Sequence, residues 1–133
     1  MTAPAWAHLP NAKHIDRVLA SLKAHPDKWE AAQTAARGPA WSAAWDAGRT
    51  AARGTAWTEA WDAARTAAWD AAWTEAWDAA RTAARGAITA LIAWDDCAYM
   101  LELPEDTLKV LRAVGNEQAL LLSAAAKVLR ETS

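Results

Sequence analysis

Between Trp41 and Gly86 a tryptophan or arginine stands at every fourth position, and alanine with a few small polar residues fills most of the space between. Three copies of a sixteen-residue unit run in tandem, "WSAAWDAGRTAARGTA" from Trp41, "WTEAWDAARTAAWDAA" from Trp57 and "WTEAWDAARTAARGAI" from Trp73; "WEAAQTAARGPA" from Trp29 is a partial copy. Alanine, glutamate and arginine favour helix, and no β-branched run interrupts them, so the repeats predict helix throughout. The period constrains how that helix can be used. Four residues advance about 400°, so the Trp/Arg column drifts ~40° per tetrad and stands ~160° from its starting face after one unit. One straight helix over the whole repeat would carry indoles on every side, so it must be surrounded by partners or broken so that the phase resets.

Break signals mark where this happens. "ARGPAW" at Arg37–Trp41 joins a glycine stop to a proline start, and "ARGTAW" at Arg53–Trp57 joins a glycine to a threonine cap. The junction at Ala67–Trp73 has neither. Elsewhere Pro26 with a capping box from Asp27 to Glu30, Pro104 with Glu105 and Asp106, and Gly115-Asn116 punctuate the chain. The expected helices are 11–24, 27–37, 40–53, 56–85 with a kink or split near 70, 87–102, 104–114 and 116–131. The expected fold is all-α, a compact bundle or short solenoid-like stack of about seven helices with a Trp/Ala-packed repeat segment. Its 133 residues fit one domain, with a lead-in over 1–28, repeats over 29–86 and apolar C-terminal helices over 87–133.

Composition changes the picture of the core. Ten tryptophans and no phenylalanine mean that indoles supply bulk that Leu, Ile and Phe supply in most domains, at about 25 cal/mol per Å² removed from water. Alanine lets backbones approach, and indoles plug the gaps as knobs into holes. Within a helix, Trp45 and Arg49, Trp61 and Arg65, and Trp77 and Arg81 are four apart, so each arginine can lie over the preceding indole. Asp46, Asp62 and Asp78 are three residues before the same arginines and can pair with them.

Some of these groups can instead wall a pocket. Indole faces stack on bases and arginine forks match phosphates, so Trp57, Trp61, Arg65, Trp73, Trp77 and Arg81 are the candidate ligand-binding residues for a flat anion such as a nucleotide. Asp95 and Asp96 fall inside the expected helix 87–102, where a partly buried carboxylate needs a partner, and a repeat arginine is the obvious one. As a catalytic pair they are poor, because adjacent helical side chains diverge by about 100°. His8, His14 and His25 do not combine with carboxylates or Cys97 at metal-ligand spacing, and no phosphate-loop, dinucleotide or nucleophile-elbow motif occurs. No catalytic residue, metal or cofactor is expected. Cys97 sits in an apolar stretch and reads as a small buried residue.

A net charge of -2 gives no basic field, which argues against duplex nucleic acid as a partner. The N-terminal stretch lacks a secretory layout and no apolar run approaches the ~20 residues needed to cross a bilayer, so a cytoplasmic protein off the membrane is expected. The last helix is apolar through Leu120, Leu121, Leu122, Ala124, Ala125, Val128 and Leu129, more than one stripe requires, so a homo-oligomer through it or through the Trp face is expected.

The "WDAA" and Arg-x-Ala-Ala tetrads followed by "LIAWDDCAYML" resemble small uncharacterised proteins of tailed bacteriophages. That resemblance implies an accessory protein in the bacterial host cytoplasm that acts on host defence by binding, with no known catalytic residues. The leading functional reading is accordingly a non-catalytic binding protein that sequesters a small nucleotide-like signal of host defence. The alternative is a protein–protein inhibitor, directed at a host defence protein, or an oligomeric scaffold using an exposed Trp/Arg face. An all-α hydrolase using Asp95 or Asp96 is the third class.

Overall fold

Seven α-helices, joined by turns and short 3-10 segments, make up the computed structural model, which describes residues 5–35, 38–53, 58–71 and 77–133. No strand occurs among the described residues. The helices are α1 (Ala12–Ala24), α2 (Pro26–Ala31), α3 (Pro39–Arg53), α4 (Thr58–Ala71), α5 (Asp78–Ala93), α6 (Glu105–Ala113) and α7 (Glu117–Glu131). A 3-10 turn over Ala32–Ala35 extends α2, and another over Ala98–Glu102 links α5 to α6.

Most boundaries follow local chemistry. Pro26 opens α2 at its first turn, where its missing N–H costs nothing, and His25 rather than the expected Asp27 box occupies the cap position. Gly38, at φ 100°, takes a left-handed conformation immediately before Pro39 starts α3. Pro104 precedes α6, with Glu105 and Asp106 against the positive end of its dipole. Gly115 is again left-handed, and the Asn116 side chain accepts a hydrogen bond from the Ala119 N–H at 2.9 Å, a cap that begins α7.

The stretch 56–85 is split near 70, the second of the two forms expected for it: α4 ends at Ala71 and α5, which packs against it, begins at Asp78. The helix expected over 87–102 is corrected, because α5 runs straight through Gly86 and stops at Ala93, after which the chain turns. Gly86 is therefore not a stop. A Cβ there would lie 2.6 Å from Cζ2 of Trp41, so the glycine is a notch that admits an indole from α3.

The core lies around α5 and α7. Helix α5 packs against α1, α2, α3, α4 and α7, and every residue from Gly86 to Ile92 is buried. Helix α7 packs against α3, α5, α6 and both 3-10 segments, and Ala119 to Ala126 are all buried. The excess of apolar residues in α7 is thus consumed inside the chain, which removes the reason for expecting self-association through that helix. Indoles fill the spaces as knobs: Trp29 is wholly buried with its N–H donating to the Ser21 hydroxyl at 3.0 Å, and Trp41 lies against Trp45 with ring centroids 5.2 Å apart. Asn11, at the head of α1, donates to the Leu91 and Trp94 carbonyls at 2.9 and 3.1 Å. It thereby satisfies orphan carbonyls at the end of α5 and ties the lead-in to the core.

Candidate functional site

The repeats become a site where copies two and three meet, α4 against α5. Thr89 on α5 organises it from within. Its hydroxyl donates to the Arg85 carbonyl at 2.7 Å and accepts from the Trp61 indole at 3.0 Å and the Trp45 indole at 3.3 Å. One small hydroxyl so fixes two rings from two other helices, and Trp61 is buried as a result. Arg65 then lies over the Trp61 ring, 4.9 Å from its centroid, with Asp62 at a loose 3.9 Å.

One turn further along α4, Trp69 is 48% exposed. Arg81, reaching from α5, covers one face of its ring at 4.1 Å from the centroid; the Arg81 side chain is itself buried and paired with Asp78 at 3.3 Å. Between these groups a cleft of about 270 Å³ opens, lined by Arg65, Thr66, Trp69 and Arg85. A much smaller cavity of about 10 Å³, lined by Trp61, Arg65, Arg85, Ile88 and Thr89, shares the two arginine walls. It has room for about one water.

The charged side chains of the described cleft lining are both cationic, Arg65 and Arg85. Arg85 is half-buried, and no carboxylate among the described residues stands at ion-pair distance from it. Burial lowers its proton affinity most; Arg81 and Arg65 lower it further, while Asp78 acts in the opposite sense. Its Nε is buried without a hydrogen-bond partner among the described residues. A guanidinium does not lose its proton in this situation, so Arg85 stays a partly desolvated cation beside Arg65 and Arg81.

The expected site residues divide accordingly. Trp61 and Arg65 border the cavities, and Arg81 stands behind Trp69 as its backing. Trp77 is half-buried at the start of α5 and packs on the core, outside the cleft lining. Trp57 and Trp73 lie outside the described residues. Asp95 and Asp96 are corrected: they sit exposed in the turn after α5, so neither is a buried carboxylate in need of an arginine. The helix end at Ala93 is the reason, since it turns both side chains out to water.

Trp69, Thr66 and Arg85 were not foreseen. The signal was nevertheless in the repeat. The fourth tetrad begins with Arg53 in the first copy and Arg85 in the third, but with Trp69 in the second, and the departing residue is the one that opens to solvent beside its repeat equivalent. Arg49 behaves as the spacing implies, lying over Trp45 at 5.4 Å and pairing with Asp46 at 2.9 Å, whereas Arg81 keeps its Asp78 pair but lies over Trp69 of α4, where the spacing pointed to Trp77.

Other chemistry is sparse among the described residues. No group of three or more His, Cys, Asp or Glu side chains could hold a metal ion, and no helix is long and apolar enough to cross a membrane. Cys97 is buried, its thiol facing the Ala90 carbonyl at 3.4 Å, and burial reinforced by Asp96 pushes its pKa up to about 12. A thiol so held is not a nucleophile near neutral pH. Comparison of the chain with family models, curated proteins and solved structures finds no match.

Proposed function

We propose that this chain is a non-catalytic binding protein that holds a small phosphorylated, nucleotide-like molecule in the cleft between α4 and α5. The observation that carries the reading is Arg85, a half-buried guanidinium without an acidic partner among the described residues, placed beside Arg65 and the open face of Trp69. Cation pair and aromatic platform together match a phosphate joined to a flat ring. The described lining offers no carboxylate, imidazole or thiol, so retention of the ligand, rather than its conversion, is the activity proposed. In the phage setting that the sequence resembles, such retention would act by sequestering a host signal.

Titration calorimetry and tryptophan emission with a panel of nucleoside mono- and triphosphates test the reading. Heat and quenching are expected for the wild-type chain and loss of both for Trp69→Ala; silence across the panel would overturn it. A second reading has its own support in the exposure of Trp69 next to Arg65, a pair of residue types that commonly anchors protein interfaces. It predicts that a host protein is captured by the wild-type chain and not by Trp69→Ala, with nucleotides failing to compete.

A further inference from the structure

We infer that the cleft recognises a terminal phosphate monoester, carrying two charges, and is nearly indifferent to the base attached to it. This inference rests on the ligand reading above and asks what the described lining can and cannot distinguish.

The phosphate side is rich. Arg85 has no ion pair among the described residues, and the Arg65 pair with Asp62 is loose at 3.9 Å, so two guanidinium forks are open to a ligand. Arg81, on the covered face of Trp69, adds a third positive group close enough to Arg85 to lower its proton affinity. A monoester presents three terminal oxygens and nearly two charges at neutral pH, which can meet both forks at once. A cyclic diester presents one charge and two free oxygens, so it satisfies one fork and leaves the other wanting.

The base side is poor. Trp69 offers its one open face, and every base has a π-face to lay on it. Among the described residues of the lining Thr66 is the only other polar side chain, and its hydroxyl already donates to the Asp62 carbonyl at 3.1 Å, so towards a ligand it can only accept. With the arginine donors directed to phosphate, the described lining leaves one hydrogen bond for base readout. A single neutral hydrogen bond discriminates by about tenfold or less.

The test is calorimetry at fixed ionic strength with the 5′-monophosphates of adenosine, guanosine, cytidine and uridine, the parent nucleosides, and the cyclic monophosphates. The four monophosphates are expected to bind within about tenfold of one another, and the cyclic forms at least about tenfold more weakly, the loss of one charge-assisted contact. Nucleosides should give no heat. Arg65→Met, at an exposed position, should bring monoester and cyclic diester to the same affinity without changing the helical spectrum; Arg85→Met should do the same if it folds. Cyclic forms binding as tightly as the monoesters, or one base preferred by clearly more than tenfold, would overturn this inference while leaving the ligand reading intact. No binding by any of the panel would overturn both.

Discussion

Gly86→Ala sets local propensity against packing. In the interior of α5 the exchange improves helix propensity by about 1 kcal/mol, and on that ground alone the variant should be more stable. The added methyl, however, would stand 2.6 Å from Cζ2 and 3.4 Å from Cε2 of Trp41, and 3.6 Å from Cδ2 of Leu121. The Trp41 ring is 4% exposed and rests on Trp45, so it cannot swing aside as a flexible chain end would. Overpacking of this kind costs about 1–3 kcal/mol, and a contact nearly 1 Å too short belongs at the upper end, which leaves a net loss of about 2 kcal/mol. For a chain of this length that is a fall in Tm of roughly 6–10 °C, read by circular dichroism at 222 nm or by urea titration. In a Trp41→Leu background the same exchange should become neutral or stabilising, because the propensity gain survives and the clash does not. Gly48→Ala is the milder comparison: its methyl meets Thr89 Cγ2 at 3.1 Å and Leu121 Cδ1 at 3.3 Å, contacts relieved by shifts of a few tenths of an ångström, and it should cost less than Gly86→Ala. A rise in Tm for Gly86→Ala in the wild-type background would refute the notch.

Thr89→Val keeps the shape but removes the hydroxyl that accepts from the Trp61 and Trp45 indole N–H groups, and should cost about 2–3 kcal/mol in urea titration, with Thr89→Ser recovering most of it. Trp69→Ala should cost about 1–2 kcal/mol, the stack with Arg81 and the buried half of the ring, less than a sealed indole would cost, while abolishing nucleotide-dependent quenching. Cys97 should resist aromatic disulfide reagents at pH 8 in the folded chain and react at once in denaturant. Because its folded pKa of about 12 exceeds the ordinary 9.0, the unfolded thiol ionises first and stability should fall as pH rises above about 9; Cys97→Ala should flatten that decline in alkaline melts.

The helix ends were legible wherever a residue acts through its own backbone. Pro26, Gly38-Pro39, Pro104 and Gly115-Asn116 each forbid or favour one conformation locally, and α1, α3, α6 and α7 lie within a residue or two of where those signals place them. Gly86 misled because glycine has two uses, a turn and a close approach, and only the position of the Trp41 ring decides between them. A stop at Gly86 places Asp95 and Asp96 inside a helix over 87–102, whereas α5 ends at Ala93 and leaves both exposed in the turn that follows.

The candidate site was legible as chemistry and not as address. Tryptophan and arginine four apart announce ring-on-guanidinium stacking, and Arg65 lies over Trp61 as that pattern suggests, with Arg65 at the cleft and Trp61 at the small cavity beside it. Which indole is sealed and which is open is not local information, since Trp61 and Trp69 sit in near-identical tetrads on the same helix. Trp61 is turned to Thr89 and buried; Trp69 finds Arg81 on one side and solvent on the other.

By itself the sequence determined the all-helical architecture, the places where proline and capping residues start helices, and the Asp–Arg pairs three residues apart, because each depends on groups within one turn of chain. The tertiary structure alone decided that α5 and α7 form the centre, that Gly86 receives an indole, and that two equivalent repeat positions, Trp69 and Arg85, line one cleft. The repeat drifts around the helix by ~40° per tetrad, so identical tetrads face different neighbours. What each one does is set by the helix that happens to lie opposite.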